Sequence, residues 1–136
     1  MANSPEWYDA TVIADVEAVT ALLDSGYLEI YSGTQPALNG TLSGTLLATL
    51  TFAATAFGTP VASAGTVTAT ANAITSGTAA ATGTAGYFAL LKSDNTTVVM
   101  TGSVGTSGAD LNLNTLSITS GVTVSCSSFT ISQSQT

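Results

Sequence analysis

"GYFALLKSDNTTVVMTGSVG", residues 86–105, decides the fold. Two runs of β-forming residues flank a cluster of turn formers, Ser93, Asp94 and Asn95. Asp94 and Asn95 tolerate positive φ, and as the two central residues of a type I′ turn they set a register. Leu91 then falls opposite Val98, Ala89 opposite Met100 and Lys92 opposite Thr97. One face of the hairpin carries Ala89, Leu91, Val98 and Met100, the other Phe88, Leu90 and Val99, so both faces are expected to be covered. Lys92 is the sole basic side chain of the chain. A catalytic lysine needs a desolvated pocket or a neighbouring cation to lower its pKa. A turn supplies neither, so Lys92 is read as a turn residue, with Asp94 placed for an exposed ion pair.

Outward from the hairpin the period of two continues. In "YLEIY", residues 27–31, Leu28 and Ile30 point one way and Tyr27, Glu29 and Tyr31 the other. In "TLLATLTF", residues 45–52, Leu46, Ala48, Leu50 and Phe52 share a face, as do Val67, Ala69, Ala71 and Ala73 in "TVTATANA". "SGTQPALNGTLSG", residues 32–44, reads as a loop, and "ITSGTAAATGTAG", residues 74–86, as a weak strand or a loop. In "GVTVSCSSFTIS", residues 121–132, Val122, Val124 and Cys126 have one parity and Phe129 and Ile131 the other. Either a bulge near Ser127–Ser128 resets the register or two strands meet there at a bend. Seven or eight short strands result, the pattern of an antiparallel β-sandwich or a jelly-roll-like barrel.

One segment breaks the alternation. Over residues 10–25, Val12, Val16, Val19 and Leu23 recur at helical spacing, widened by Ile13, with Asp9 or Thr11 able to cap the start and Gly26 to stop the helix. The organisation expected is an arm over 1–9, an amphipathic helix over 10–25 and a β-sandwich over 26–136, one domain in all. An amphipathic stripe must be buried on its own sheet or on a neighbouring subunit. Trp7, Tyr8, Val12 and Val16 are therefore the candidate interface residues, since aromatics are enriched where proteins meet.

Composition narrows the function. The chain has 136 residues, eight acids, one Lys, no Arg and no His, for a net charge of −7. Nucleic-acid backbones and anionic membranes are recognised through Lys and Arg, so neither is expected as a partner. Five of the acids, Glu6, Asp9, Asp15, Glu17 and Asp24, lie in the first 24 residues, leaving the rest nearly neutral. Mean hydropathy is +0.44, yet the most apolar stretch is broken by Thr, Gly and Pro and is not expected to span a membrane. "MANSPEWYDA" has no basic n-region and is not read as a secretory signal.

Chemistry is equally constrained. Without His, Ser–His and Cys–His nucleophilic pairs cannot form, and the usual zinc sites lose ligands. Glycoside hydrolysis needs only two carboxylates, but Glu29, Asp94 and Asp110 are scattered singly. "ADLNLN" sets Asp110, Asn112 and Asn114 on one extended face, short of the six to eight oxygens calcium takes. Tyr27 and Tyr31 could line a shallow sugar site, and Cys126 reads as a small buried hydrophobe. No enzyme, cofactor or metal is expected.

"KSDNTTVVMTGSVG" (92–105) and "ADLNLNT" (109–115), within residues 23–132, resemble a family of small structural proteins of tailed bacteriophages and prophages. The resemblance implies a virion component without catalytic residues. It leaves the place in the virion open. An acidic, nearly lysine-free chain suits an outer surface better than contact with packaged DNA. A capsid decoration or cement protein on the outside of the head, homo-oligomeric and bound to the major capsid protein, is therefore the favoured expectation. A neck, collar or tail component is the alternative, and a receptor- or glycan-binding tip comes third.

Overall fold

The computed structural model describes residues 5–113 and 115–136. Helix α1 (Asp9–Ala21) is followed by β1 (Tyr27–Ser32), β2 (Leu46–Thr51), β3 (Val61–Ser63), β4 (Thr66–Thr70), β5 (Gly77–Thr78) and β6 (Gly83–Leu91). After them come β7 (Val98–Gly105), β8 (Leu111–Asn112), β9 (Ser117–Ile118), β10 (Thr123–Val124) and β11 (Thr130–Ser134). The larger sheet has the order β2-β1-β6-β7-β8, with β9 paired to the start of β6. Its pairs are antiparallel except β7–β8. The smaller sheet, β11-β4-β3, is antiparallel throughout. β5 pairs with β10 and lies along the free side of β2, where Thr75 bridges Thr51 and the Ala80 N–H donates to the Leu47 carbonyl at 2.8 Å. The fold is mainly β, a curled sandwich with one helix near the N-terminus. The eleven strands among the described residues exceed the seven or eight expected because several are two-residue pairings too short to leave a period.

The core lies between the sheets and collects the inward parity of each strand. Leu28 and Ile30, Ala48 and Leu50, Phe88 and Leu90, and Val67 and Ala69 are all buried in one cluster. All four phenylalanines meet in it: Phe52 contacts Phe57 at 5.7 Å between centroids, Phe57 contacts Phe129 at 6.1 Å, and Phe129 contacts Phe88 edge-on at 5.4 Å. These offset and edge-on pairs contribute about 0.5–1.5 kcal/mol each beyond the area they bury. They link β6 of the large sheet to the residues entering β11 of the small one.

The break in parity at residues 125–128 is a change of sheet. β10 ends at Val124 beside β5, and β11 starts at Thr130 beside β4, so of the two readings the bend between strands is the one the chain adopts. Val124, Cys126, Phe129 and Ile131 are all buried despite their opposite parities, whereas Val122 is exposed.

The hairpin differs from its expected register in two ways. The Asn95 N–H donates to the Lys92 carbonyl at 2.9 Å, so the turn centres on Ser93 and Asp94, and Asn95 alone has positive φ (56°). Asp94 governs this choice: its carboxylate accepts from the N–H groups of Thr96 and Thr97, both at 2.9 Å, and from the Thr97 hydroxyl at 2.7 Å. Beyond the Leu91–Val98 pair the register shifts, so Met100 faces Leu90 and Thr101 faces Ala89. The expected Ala89–Met100 pair is not made, because the extra residue Val99 turns against the core as a bulge.

Both faces of β6 are buried, as expected for this hairpin. Tyr87, Ala89 and Leu91 lie on the face away from the main cluster. The loop between β1 and β2 is tied to that face: the Tyr87 hydroxyl donates to the Ser43 carbonyl and accepts from its N–H, and Gln35 donates to the Thr101 hydroxyl at 3.0 Å. Gly86 permits this approach. A Cβ there would collide with the carbonyl of Gly33.

Helix α1 ends at Ala21, short of the expected residue 25, and Leu22–Ser25 form a turn closed by the Gly26 N–H on the Leu23 carbonyl at 2.7 Å. The positive φ of the stop falls on Ser25 (55°), not on Gly26. The helix packs on its own domain, against β3, β4 and β11. Its buried stripe is Val12, Val16, Thr20 and Leu23. Val19, expected in the stripe, is 36% exposed, and Thr20 takes its place by returning its hydroxyl to the Glu17 carbonyl at 3.2 Å. A hydroxyl satisfied within its own helix can be buried at little cost.

Candidate functional site

The described part of the arm, residues 5–8, runs extended into α1, and Tyr8 stands at the N-cap with φ −69° and ψ 153°. Neither Asp9 nor Thr11 caps the helix by side chain. Gln135, at the far end of the sequence, does a different job. The Trp7 N–H donates to the Gln135 carbonyl at 2.8 Å, and the Gln135 side-chain amide donates to the Trp7 carbonyl at 2.9 Å and to Asp9 Oδ1 at 2.8 Å. Three hydrogen bonds to Gln135, the residue after β11, therefore hold the arm and the start of the helix in place. Its aromatics are left outside: Trp7 is 57% exposed and Tyr8 84%.

Around them lies an open recess of about 600 Å³, lined by Glu6, Trp7, Tyr8, Asp9, Gly65 and Gln135 among others. Two aromatic and two acidic residues thus border the same recess. Of the four candidate interface residues, the structure brings Trp7 and Tyr8 together here. Val12 and Val16 are 2% and 3% exposed and belong to the domain's own core. They are corrected from candidate contacts to packing residues, because the helix already buries its stripe in its own chain. Gln135 was not legible in the sequence: 128 positions separate it from Trp7, and no local pattern marks a polar residue that ties two chain ends.

The carboxylates considered for chemistry lie on separate elements. Glu29, on β1, is 5% exposed and accepts from the Tyr31 hydroxyl at 2.9 Å. Asp94 is spent on the hairpin turn. Those hydrogen bonds from Thr97 and Thr96 hold its carboxyl down at about 2, with Lys92 adding only a minor Coulombic pull. Asp110 caps the exposed edge of β7, accepting from the Ser103 N–H at 3.0 Å and hydroxyl at 3.1 Å. Sequence reading placed Asp110 as an oxygen donor; its role is to occupy a backbone group at a strand edge, which otherwise invites pairing with another chain. Asn112 Oδ1 accepts from the Ala109 N–H at 3.1 Å, and Asn114 lies outside the described residues. Among the described residues no group of three or more His, Cys, Asp or Glu side chains is placed to hold a metal ion.

Tyr31 does not line a site with Tyr27. It stacks on Tyr87 at 5.3 Å and 8° between planes, and burial, then the hydrogen bond to Glu29, pushes its phenol up to about 12. Cys126 is 7% exposed, and burial pushes its thiol up, which leaves little thiolate to react. Among the described residues no helix is long and apolar enough to cross a membrane. No protein-family model, curated protein or solved structure matches the chain.

Proposed function

We propose that the chain is a structural protein of a tailed-bacteriophage virion, a capsid decoration protein that binds the outside of the head and stabilises it by non-covalent contacts. The observation that carries this reading is the Trp7–Tyr8 ledge: an exposed aromatic pair, fastened by Gln135, on a β-sandwich in which Glu29, Asp94 and Asp110 are each engaged in hydrogen bonds within the fold. Such a surface is built for attachment. A pinned arm loses little further freedom on binding, so more of its contact area is realised as affinity. The resemblance of residues 92–105 and 109–115 to phage structural proteins supports the same reading, and a sandwich surface poor in charge suits a molecule packed in small symmetric clusters on a lattice. The partner is then the major capsid protein; in a neck or tail ring it would be the ring's own subunits.

The test is the copy number per purified virion, measured by quantitative mass spectrometry against the major capsid protein. A lattice-bound decoration protein is present on the order of hundreds of copies, whereas a cyclic neck or tail ring holds about a dozen or fewer. The first count is expected. The second would move the protein to the neck or tail, and absence from the particle would reject the virion reading altogether.

A further inference from the structure

We infer that the ledge is a dock for a basic protein surface, one that presents arginine or lysine side chains to Trp7 and Tyr8. This deepens the attachment reading above and rests on it. The argument is from charge and ring chemistry. Glu6, Trp7, Tyr8 and Asp9 all border a single open recess, so acidic and aromatic residues lie side by side around the same volume. A guanidinium or ammonium satisfies both: it pairs with the carboxylates and is attracted to the face of an aromatic ring, Trp most strongly. The recess cannot be served well by an equivalent surface of a second copy. Glu6 and Asp9 of each copy would meet their like, and the chain's one Lys or Arg side chain, Lys92, sits on the β6–β7 turn. Two such recesses brought face to face would repel. The occupant is therefore a different chain of opposite charge, steered in by the field and held by the rings.

Asp9 Oδ1 already accepts from Gln135. The same bond orients the carboxylate and the arm together, so the site is formed before the partner arrives.

The protein reports on this recess directly, because Trp7 is its only tryptophan. The full chain is titrated with a capped synthetic peptide of alternating Arg and Gly, and Trp7 emission is followed. A matched peptide of alternating Glu and Gly is the comparison. The expected result is a saturable, salt-sensitive shift with the first peptide and none with the second. In Glu6→Gln/Asp9→Asn, where Asn keeps the oxygen that accepts from Gln135, binding weakens several-fold. In Asp15→Asn/Glu17→Gln, with the same change in net charge away from the recess, it weakens much less. Tyr8→Ala weakens binding about two- to fivefold, the loss expected for one exposed cation–π contact.

The inference is overturned by no response to the arginine peptide, by an equal response to the glutamate peptide, or by equal weakening in the two charge variants. Circular dichroism of each variant separates loss of fold from loss of binding. Hundreds of copies per virion together with a silent ledge would leave decoration standing and reject this dock. A responsive ledge in a protein absent from virions would do the reverse.

Discussion

At the scale of the residue, Glu29 shows how far an alternating pattern can be read. Alternation in "YLEIY" correctly separates Leu28 and Ile30 from Glu29, but it does not say whether the second face is covered. In the structure that face is covered, Glu29 is 5% exposed, and its carboxylate is satisfied by the Tyr31 hydroxyl. The reason lies elsewhere in the chain: Tyr87, 56 positions from Tyr31 in sequence, stacks on Tyr31 and ties down the Ser43 backbone. Burial and Glu29 together raise the Tyr31 phenol from its ordinary 10.0 to about 12. The folded state thus holds this proton more tightly than the unfolded chain does. That contribution to stability is fully present below pH 10, falls as pH rises through 12, and is gone above it. Ultraviolet titration of the folded protein should show a tyrosine ionising late, and Glu29→Gln should bring it back toward the ordinary value. A titration unchanged by Glu29→Gln would remove the carboxylate from the account.

At the scale of the element, α1 was legible as a helix and less so in its rotation. Its stripe of Val12 and Val16 stands out against Asp15 and Glu17, but Val19 and Thr20 compete for the next buried position. Hydrophobicity favours Val19; the direction in which the helix approaches β4 and β11 favours Thr20, whose hydroxyl bonds back to Glu17. Truncation distinguishes the two faces. Val16→Ala should cost about 2 kcal/mol through lost burial and a residual cavity, while Val19→Ala should change stability by no more than about 0.5 kcal/mol. Chemical denaturation midpoints of the two variants measure this, and equal losses would contradict the packing described. The hairpin teaches a related lesson. Its existence and the Leu91–Val98 and Lys92–Thr97 pairings were legible from turn chemistry. The bulge at Val99 was not, because it serves the core beneath rather than the turn.

At the scale of the whole molecule, remote segments meet. β1 pairs with β6 across the intervening strands, β4 pairs with β11 such that Thr68 meets Ser132 64 positions away, and Trp7 meets Gln135 at 128. Such pairings require most loop closure before contact, so folding is expected on the slow, millisecond-to-second side of the range for small domains. Stopped-flow refolding followed by far-ultraviolet circular dichroism checks this, and a microsecond folding phase carrying the full amplitude would be inconsistent with the topology. The four phenylalanines make the same point in packing. They lie at positions 52, 57, 88 and 129 with no shared motif, and only the closing of two sheets brings them into one line.

What the sequence by itself determined is local: one helix followed by short strands, turns at the Gly, Asn and Asp clusters, the inward parity of most strands, and a poverty of charge. Each of these follows from neighbours within a few residues, where period, propensity and turn chemistry act. What only the tertiary structure decided is which remote surfaces face one another. It turned Val16 from a candidate contact into core, made Asp110 a guard for the β7 edge, folded a loop over Glu29, and let Gln135 hold Trp7 and Tyr8 out to solvent. Those outcomes depend on burial and hydrogen bonding between segments tens of residues apart, and no local pattern encodes that pairing.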